Sequence, residues 1–131
     1  MSVGPDPVVV LDTGALLAVE RRDRRLRALE DLAVRGRVRL LVPAGVVAQV
    51  WRDPARQVPV VRLLRRDAAV EVPLDRVASR RVGSLLTEHG TSDVVDGHVA
   101  LLAQDAGAQV VTSDRGDLER LGVPADRLQD C

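Results

Sequence analysis

The acidic residues of the stretch 91–117, TSDVVDGHVALLAQDAGAQVVTSDRGD, are the best placed in this sequence to do chemistry. Asp93 and Asp96 are three positions apart, so their carboxylates would project from neighbouring positions of one helix face. Asp114 directly follows a short β-branched run, which is typical of a buried strand. The loops that follow parallel strands are where such sheets bind ligands. The stretch therefore predicts an acid-rich site.

Another acid stands near the start of the chain. Asp12 ends the apolar run Val8 to Leu11, which has the length and branching of a buried parallel strand. An acid at the end of the first strand would point into the crevice where open α/β sheets bind ligands. Asp12 could equally be the N-cap of the helix that follows, because a cap needs only an oxygen facing free N–H groups. The two roles are compatible, and position alone does not choose between them.

Five strand candidates alternate with helical segments, which predicts a single-domain α/β fold with three layers, α/β/α, around a parallel sheet. Right-handed crossovers bring the C-terminal ends of all the strands to one rim, so Asp12, Asp96 and Asp114 are expected near that rim. Three carboxylates without a Cys cage or a paired His favour a hard cation, Mg²⁺ or Mn²⁺. The strand candidates are residues 8–11, 39–42, 69–72, 109–112 and 127–130.

The helices that separate these strands have recognisable start signals. Thr91 or Ser92 is expected to cap the helix that carries Asp96. Asp117 is expected to cap a short helix over 117–121, a role that suits it better than cation binding, although it could serve in both. A further helical stretch is expected to start at residue 53 and to run to 66, with an interruption at Pro59.

Composition narrows the classes of function. The 131 residues predict one domain, with residues 1–7 as a flexible lead-in. Residues 1–82 contain 16 Arg and 10 acids, whereas residues 83–131 contain 3 Arg and 9 acids, a division that suits a protein binding both an anionic polymer and cations.

The absence of Lys excludes a P-loop and Schiff-base catalysis, and the single Cys excludes an internal disulfide. With neither a signal peptide nor a long apolar run, a cytoplasmic protein without membrane contact is expected.

Four segments carry a resemblance to a known family. They are VVVLDTGALLA, VPAGVVAQVW, DVVDGHVALLA and VVTSDRGDL, in that order along nearly the whole chain. Together they resemble a PIN domain, and their spacing is similar to that of the small single-domain members, including the VapC-like toxin ribonucleases. The resemblance implies a doubly wound parallel sheet with strand order 3-2-1-4-5.

The resemblance also implies roles for particular residues. Asp12, Asp96 and Asp114 match three of the acids that family members use in catalysis and metal binding, and Asp93 is an additional candidate metal ligand. Gln49 stands where the family usually has Glu, which removes one negative charge from the expected site. Four further residues are expected to contact the metal ligands or a phosphate, namely Thr13, Gln49, Ser113 and Asp117.

The activity implied is hydrolysis of RNA phosphodiester bonds by a Mg²⁺- or Mn²⁺-dependent endoribonuclease. Arg residues of the basic half would contact the RNA backbone. If the likeness to the toxins holds, the partner is a small antitoxin protein, and the chain forms a homodimer.

Two other readings remain open. A PIN-fold module without catalysis would act by binding RNA or a protein, because Gln49 weakens the cation site. An aspartyl-phosphate enzyme would also place an acid after its first strand, at Asp12. The dehalogenase type of that class has a second acid two positions later, where this chain has Gly14, and such enzymes normally use a Lys.

Overall fold

The computed structural model describes residues 7–131, so the predicted lead-in, residues 1–7, lies outside the described residues except for Pro7. The described part contains five strands, seven α-helices and a short 3-10 turn. In chain order they are β1 (Val8–Leu11), α1 (Thr13–Glu20), α2 (Arg24–Val34), β2 (Arg39–Pro43), α3 (Ala44–Val50), α4 (Val58–Leu64), β3 (Ala69–Val72), α5 (Arg76–His89), α6 (Val94–Ala106), β4 (Gln109–Thr112), α7 (Arg115–Arg120), the turn Ala125–Arg127 and β5 (Leu128–Asp130).

The five strands form one parallel sheet in the order β3-β2-β1-β4-β5, which confirms the predicted architecture. β1 lies at the centre, with Val10 opposite Leu41 of β2 on one side and Val110 of β4 on the other. The chain therefore leaves β1 first toward β2 and later returns to the opposite side at β4. This reversal opens a crevice at the C-terminal ends of β1 and β4, where ligands of such sheets bind.

Helices cover the sheet in two layers, as predicted. α1 packs against α2, α3 and α4 and against β1 and β4, whereas α6 packs against α5 and α7 and against β1, β2 and β4. The core between the layers is aliphatic, and its fully buried side chains include Leu11, Leu16 and Leu40. Such close-packed interiors hold the strand ends in fixed positions. Within the described residues, none of the helices has the length and apolar character that crossing a membrane would require.

Two helices begin at other residues than predicted. α6 is capped by Asp93, not by Thr91 or Ser92, because the Asp93 carboxylate accepts a hydrogen bond of 2.9 Å from the backbone N–H of Asp96. α7 begins at Arg115, so Asp117 lies in its first turn and is not its N-cap. An acid in the first turn still interacts favourably with the helix dipole.

The predicted helical stretch from residue 53 is also wrong at its start. Residues 54–56 form a turn, and α4 begins only at Val58. Pro59 belongs to the first turn of α4, where its missing N–H removes no helical hydrogen bond. The buried Gln57 side chain holds this arrangement, because its Oε1 accepts from the backbone N–H groups of Arg52 at 2.9 Å and Asp53 at 3.1 Å.

Candidate metal-binding active site

Asp12 lies at the end of β1, at the base of the crevice, and is only 2% exposed. It is also the N-cap of α1, which is one of the two roles expected from its position. Its Oδ1 accepts a 2.7 Å hydrogen bond from the backbone N–H of Thr13, and its Oδ2 accepts one of 2.7 Å from the Thr112 hydroxyl. Burial raises the pKa of the Asp12 carboxyl, and these two hydrogen bonds oppose the shift.

The Thr112 hydroxyl connects the first strand of the site to the last. It donates to Asp12 Oδ2 and accepts a 2.8 Å hydrogen bond from the backbone N–H of Asp114. Thr112 is fully buried at the end of β4, so this hydroxyl has no access to solvent. Sequence reasoning did not assign Thr112 a role, although a polar residue ending an otherwise apolar strand was the available signal. One buried hydroxyl therefore sets the relative position of two candidate ligands.

Asp114 occupies the N-cap position of α7, but its side chain makes no capping hydrogen bond and is exposed. The loop that carries it lies directly on α1. A Cβ added at Gly14 would fall 2.8 Å from the Ser113 Cβ and closer still to the Ser113 Oγ. Contacts that short do not occur between real side chains, so the glycine is what allows this loop to approach Asp12.

Asp93 and Asp96 enter the site from α6, as its cap and as part of its first turn. The start of α6 lies close to α3, where a Cβ added at Gly45 would fall 2.9 Å from Val95 Cγ2. Glycine again permits a close approach, here between two helices. Gly14 and Gly45 thus allow the segments that carry Asp114 and Asp96 to close around the end of β1.

The charges of these acids act on one another, which shows that the fold brings them into one region. The pKa of Asp96 is raised to about 7, first by partial burial and then by the charges of Asp93, Asp12, Asp117 and Asp114. The Asp114 and Asp93 charges also raise the pKa of Asp12. Asp96 is therefore the carboxyl whose pKa is raised by the largest number of other acids in this cluster.

Few acids of this cluster are paired with a positively charged side chain. Among the ion pairs of residues 7–131, Arg120 pairs with Asp117, whereas Asp12, Asp93, Asp96 and Asp114 take part in none. Oxygen ligands with uncompensated charge are what Mg²⁺ and Mn²⁺ prefer, so the donor set fits such an ion.

The same part of the chain contains no group of three His, Cys, Asp or Glu side chains close enough to hold an ion as they stand. Ligation would therefore need side-chain rotation or bridging water molecules. Mg²⁺ usually keeps several of its waters in proteins, which makes water-mediated contacts compatible with this spacing.

Thr13 and Gln49 contact each other beside the acids. The Thr13 hydroxyl donates a hydrogen bond to Gln49 Oε1, joining the start of α1 to α3. Gln49 is exposed, so its amide faces solvent at the rim of the crevice. Of the residues predicted for this site, Ser113 contacts Gly14, and Asp117 contributes its charge from α7.

An open cavity of about 290 Å³ lies against the acidic cluster. Its polar lining includes Asp93, Asp96 and Asp117 on one hand and His89 and Arg120 on the other. Three larger cavities, of about 360, 550 and 560 Å³, lie elsewhere and contain none of the candidate ligands. The smaller cavity thus borders the α6 side of the cluster, and its lining does not include Asp12 or Asp114.

His98, two positions after Asp96 on α6, is buried. Its Nε2 has no hydrogen-bond partner among the described residues, and burial lowers the pKa of the imidazole. A buried imidazole that lies two positions from Asp96 without a polar partner agrees with a structural role.

A model of the family described as PIN domain matches residues 9–124. No relative among the curated proteins matches the chain.

Several solved structures share the fold. VapBC2 from Rickettsia felis, bound to a DNA fragment from its promoter, superposes with a TM-score of 0.65 at 17% identity, over 95% of this chain and 98% of that one. FitAB bound to the IR36 DNA fragment gives a TM-score of 0.59 at 18% identity, over 93% and 94%. FitAcB from Neisseria gonorrhoeae gives 0.54 at 20% identity, over 88% and 94%. At these identities the likeness shows a shared fold.

Proposed function

The chain belongs to the PIN domain family, and on that premise we propose that it is a divalent-metal-dependent ribonuclease that hydrolyses phosphodiester bonds of RNA. PIN domains are generally nucleases, and the matched region includes every candidate ligand. The observation that carries the proposal is the uncompensated acidic cluster around Asp96 at the sheet rim. A structural ion-pair network would have supplied Arg partners for these acids, and the described residues supply one only to Asp117.

Asp12, Asp96 and Asp114 would hold the ion, with Asp93 as a further ligand. A bound Mg²⁺ or Mn²⁺ supplies an activated water and stabilises negative charge on the attacked phosphate. The chain's own residues fix where this happens. The Thr112 hydroxyl orients Asp12 and fixes the Asp114 backbone. Arg side chains of the basic half bind RNA phosphates.

The proposal extends to partners. The structures similar to this chain include VapBC2 and FitAB bound to DNA, and their names describe two-protein complexes. We therefore propose that this protein is the toxin of a toxin–antitoxin pair, with a small antitoxin as its protein partner, and that it forms a homodimer. Size-exclusion chromatography with light scattering of the purified chain tests the homodimer directly.

Cleavage of RNA by the purified protein tests the enzymatic proposal. Wild-type protein with Mg²⁺ or Mn²⁺ is expected to cut single-stranded RNA, and a chelator is expected to stop the reaction. Asp12→Asn should reduce the rate by at least about 100-fold, because it removes a charged ligand from the ion. The matched control is Asp31→Asn, an exposed acid of α2 outside the cluster, which should cleave at the wild-type rate.

A second candidate function is RNA or protein binding without catalysis. The observation that favours it is the spacing of the acids, since no three of the described carboxylates are grouped closely enough to hold an ion unaided. Gln49 contributes an uncharged amide at the rim and adds no anionic ligand. Protein that binds RNA yet neither binds Mn²⁺ nor cuts RNA would establish this second function.

A further inference from the structure

Gln49 stands at the edge of the acidic cluster, and two contacts place it there. Gly45, which touches Val95 at the start of α6, lies four positions before Gln49 in α3. Residues four apart lie on the same helix face, so Gln49 extends from the face that meets α6. The hydrogen bond from Thr13, the residue after Asp12, ties Gln49 to the end of β1 as well.

The orientation of the Gln49 amide determines what it can bind. Its Oε1 is engaged by the Thr13 hydroxyl, and its Nε2 makes no hydrogen bond to any residue of the described chain. The exposed Nε2 is therefore a donor without a partner among the described residues, on a side chain that is bonded to the residue following Asp12.

A free donor at this rim suits an anion and not a cation. An NH₂ group cannot ligate Mg²⁺ or Mn²⁺, because its lone pair is delocalised into the amide and its hydrogens point outward. A phosphate brought against carboxylates needs donors that offset the repulsion, and hydrogen bonds to charged groups are the stronger kind.

We infer that Gln49 is a phosphate-binding residue, whose Nε2 donates to a non-bridging oxygen of the RNA phosphate that approaches the acidic cluster, while Thr13 holds the amide in that orientation. This inference rests on the proposed ribonuclease function. Under this inference Gln49 contacts the RNA substrate, and the aspartates alone bind the cation.

RNA affinity is the first readout. It is measured by fluorescence anisotropy with a labelled single-stranded RNA in Mn²⁺, in the Asp12→Asn background, where the RNA stays uncut. Adding Gln49→Ala is expected to weaken binding about five- to tenfold, as loss of one exposed hydrogen bond to a charged group should. Gln129→Ala is the matched control, since this exposed Gln bonds Gln109 at the far end of β4 and should leave affinity unchanged.

Mn²⁺ affinity, measured by calorimetry in an otherwise wild-type background, is the second readout. Gln49→Ala is expected to leave it within about twofold, because the amide is not a ligand. Gln49→Glu is expected to tighten Mn²⁺ binding, since one carboxylate oxygen would replace the outward Nε2, and to weaken RNA binding for the same reason. Weaker RNA binding with unchanged Mn²⁺ affinity in Gln49→Ala would distinguish a phosphate donor from a merely structural side chain.

Thr13 variants test the orienting contact. Thr13→Val, which keeps the side-chain shape but cannot donate, is expected to weaken RNA binding nearly as much as Gln49→Ala. Thr13→Ser keeps the hydroxyl and should restore affinity. Adding Gln49→Ala to Thr13→Val should cause little further loss, because both variants remove the same interaction.

Unchanged RNA affinity in Gln49→Ala would overturn the inference, as would a tenfold loss of Mn²⁺ affinity in that variant. Either result leaves the ribonuclease proposal in place. If the protein with intact Gln49 bound no RNA, or if Asp12→Asn still cut it, the proposed function would fail first. The two failures are thus separable.

Discussion

At the scale of single residues, the candidate site depends on oxygen atoms from strand ends and on two glycines. The positions of Asp12 and Asp114 directly after β1 and β4 were predictable, because each follows a short apolar strand in the sequence. Thr112 was not, since its hydroxyl acquires a role only when β1 and β4 are adjacent. The same is true of Gly14 and Gly45, whose close contacts join segments distant in sequence. A role that a residue has only through a neighbour distant in sequence leaves no signal in the local sequence pattern.

Replacing Asp96 should stabilise the protein in the absence of divalent ions. The folded pKa of about 7 exceeds the ordinary value of 3.8, so the folded state binds more protons and loses stability as pH rises between those values. Asp96→Asn removes this penalty and should raise the free energy of unfolding at pH 8 by about 1–2 kcal/mol, allowing for solvent screening.

Urea unfolding at pH 8 and pH 5, in chelator, measures this effect. The gain should be smaller at pH 5, where the wild-type carboxyl is already protonated in the folded state. Asp31→Asn, at an exposed position of α2, serves as the control and should show no such dependence. An equal gain at both pH values, or a loss at pH 8, would contradict the repulsion described for Asp96.

Gly14→Ala should disturb the site although alanine favours helices. The added Cβ would collide with Ser113, so the loop carrying Asp114 must move away from Asp12. Mn²⁺ affinity is expected to fall about tenfold, equivalent to about 1.4 kcal/mol. Gly83→Ala in α5 is the matched control, because nothing lies within 4 Å of its added Cβ. That variant should gain about 0.5–1 kcal/mol of stability and bind Mn²⁺ normally.

At the scale of elements, strands were more predictable than helix boundaries. Four of the five strands are short runs rich in β-branched and aliphatic residues, which is a local property of the sequence, whereas β5 has one aliphatic residue, Leu128. The start of a helix depends on which of several polar residues becomes its N-cap. Before α6, each of Thr91, Ser92 and Asp93 could take that position. Similarly, residues 54–56 form a turn because the Gln57 amide bonds inward, including a 2.7 Å hydrogen bond to Glu20 of α1. Only the packed structure decides such cases.

The cap of α6 offers a prediction that separates folding from ligand binding. Asp93→Ala removes the oxygen that accepts from the Asp96 N–H and should lower the free energy of unfolding by about 1 kcal/mol. Asp93→Asn keeps a capping oxygen and should be nearly as stable as wild type, yet it should bind Mn²⁺ more weakly because a charge is lost. Urea unfolding and calorimetry measure the two effects. If Asp93→Asn were as unstable as Asp93→Ala, the cap would depend on charge and not on the hydrogen bond.

At the scale of the whole molecule, the fold unites acids from distant parts of the chain. The parallel sheet was predictable from alternating strands and helices, and the strand order came from the resemblance to PIN domains. Together they place the end of β1 beside the end of β4, so that residues 100 positions apart share a hydrogen bond. The sequence could not show how far apart the carboxylates would stand, because their separation depends on side-chain packing at the rim.

The binding of Mn²⁺ at that rim tests the central claim most directly. Crystals of the protein soaked in Mn²⁺ and measured for anomalous scattering should show a peak among Asp12, Asp96 and Asp114, and Asp96→Asn crystals should lose it or show it strongly weakened. Absence of a peak there in the wild-type protein, with the three carboxylates pointing into separate environments, would contradict the account.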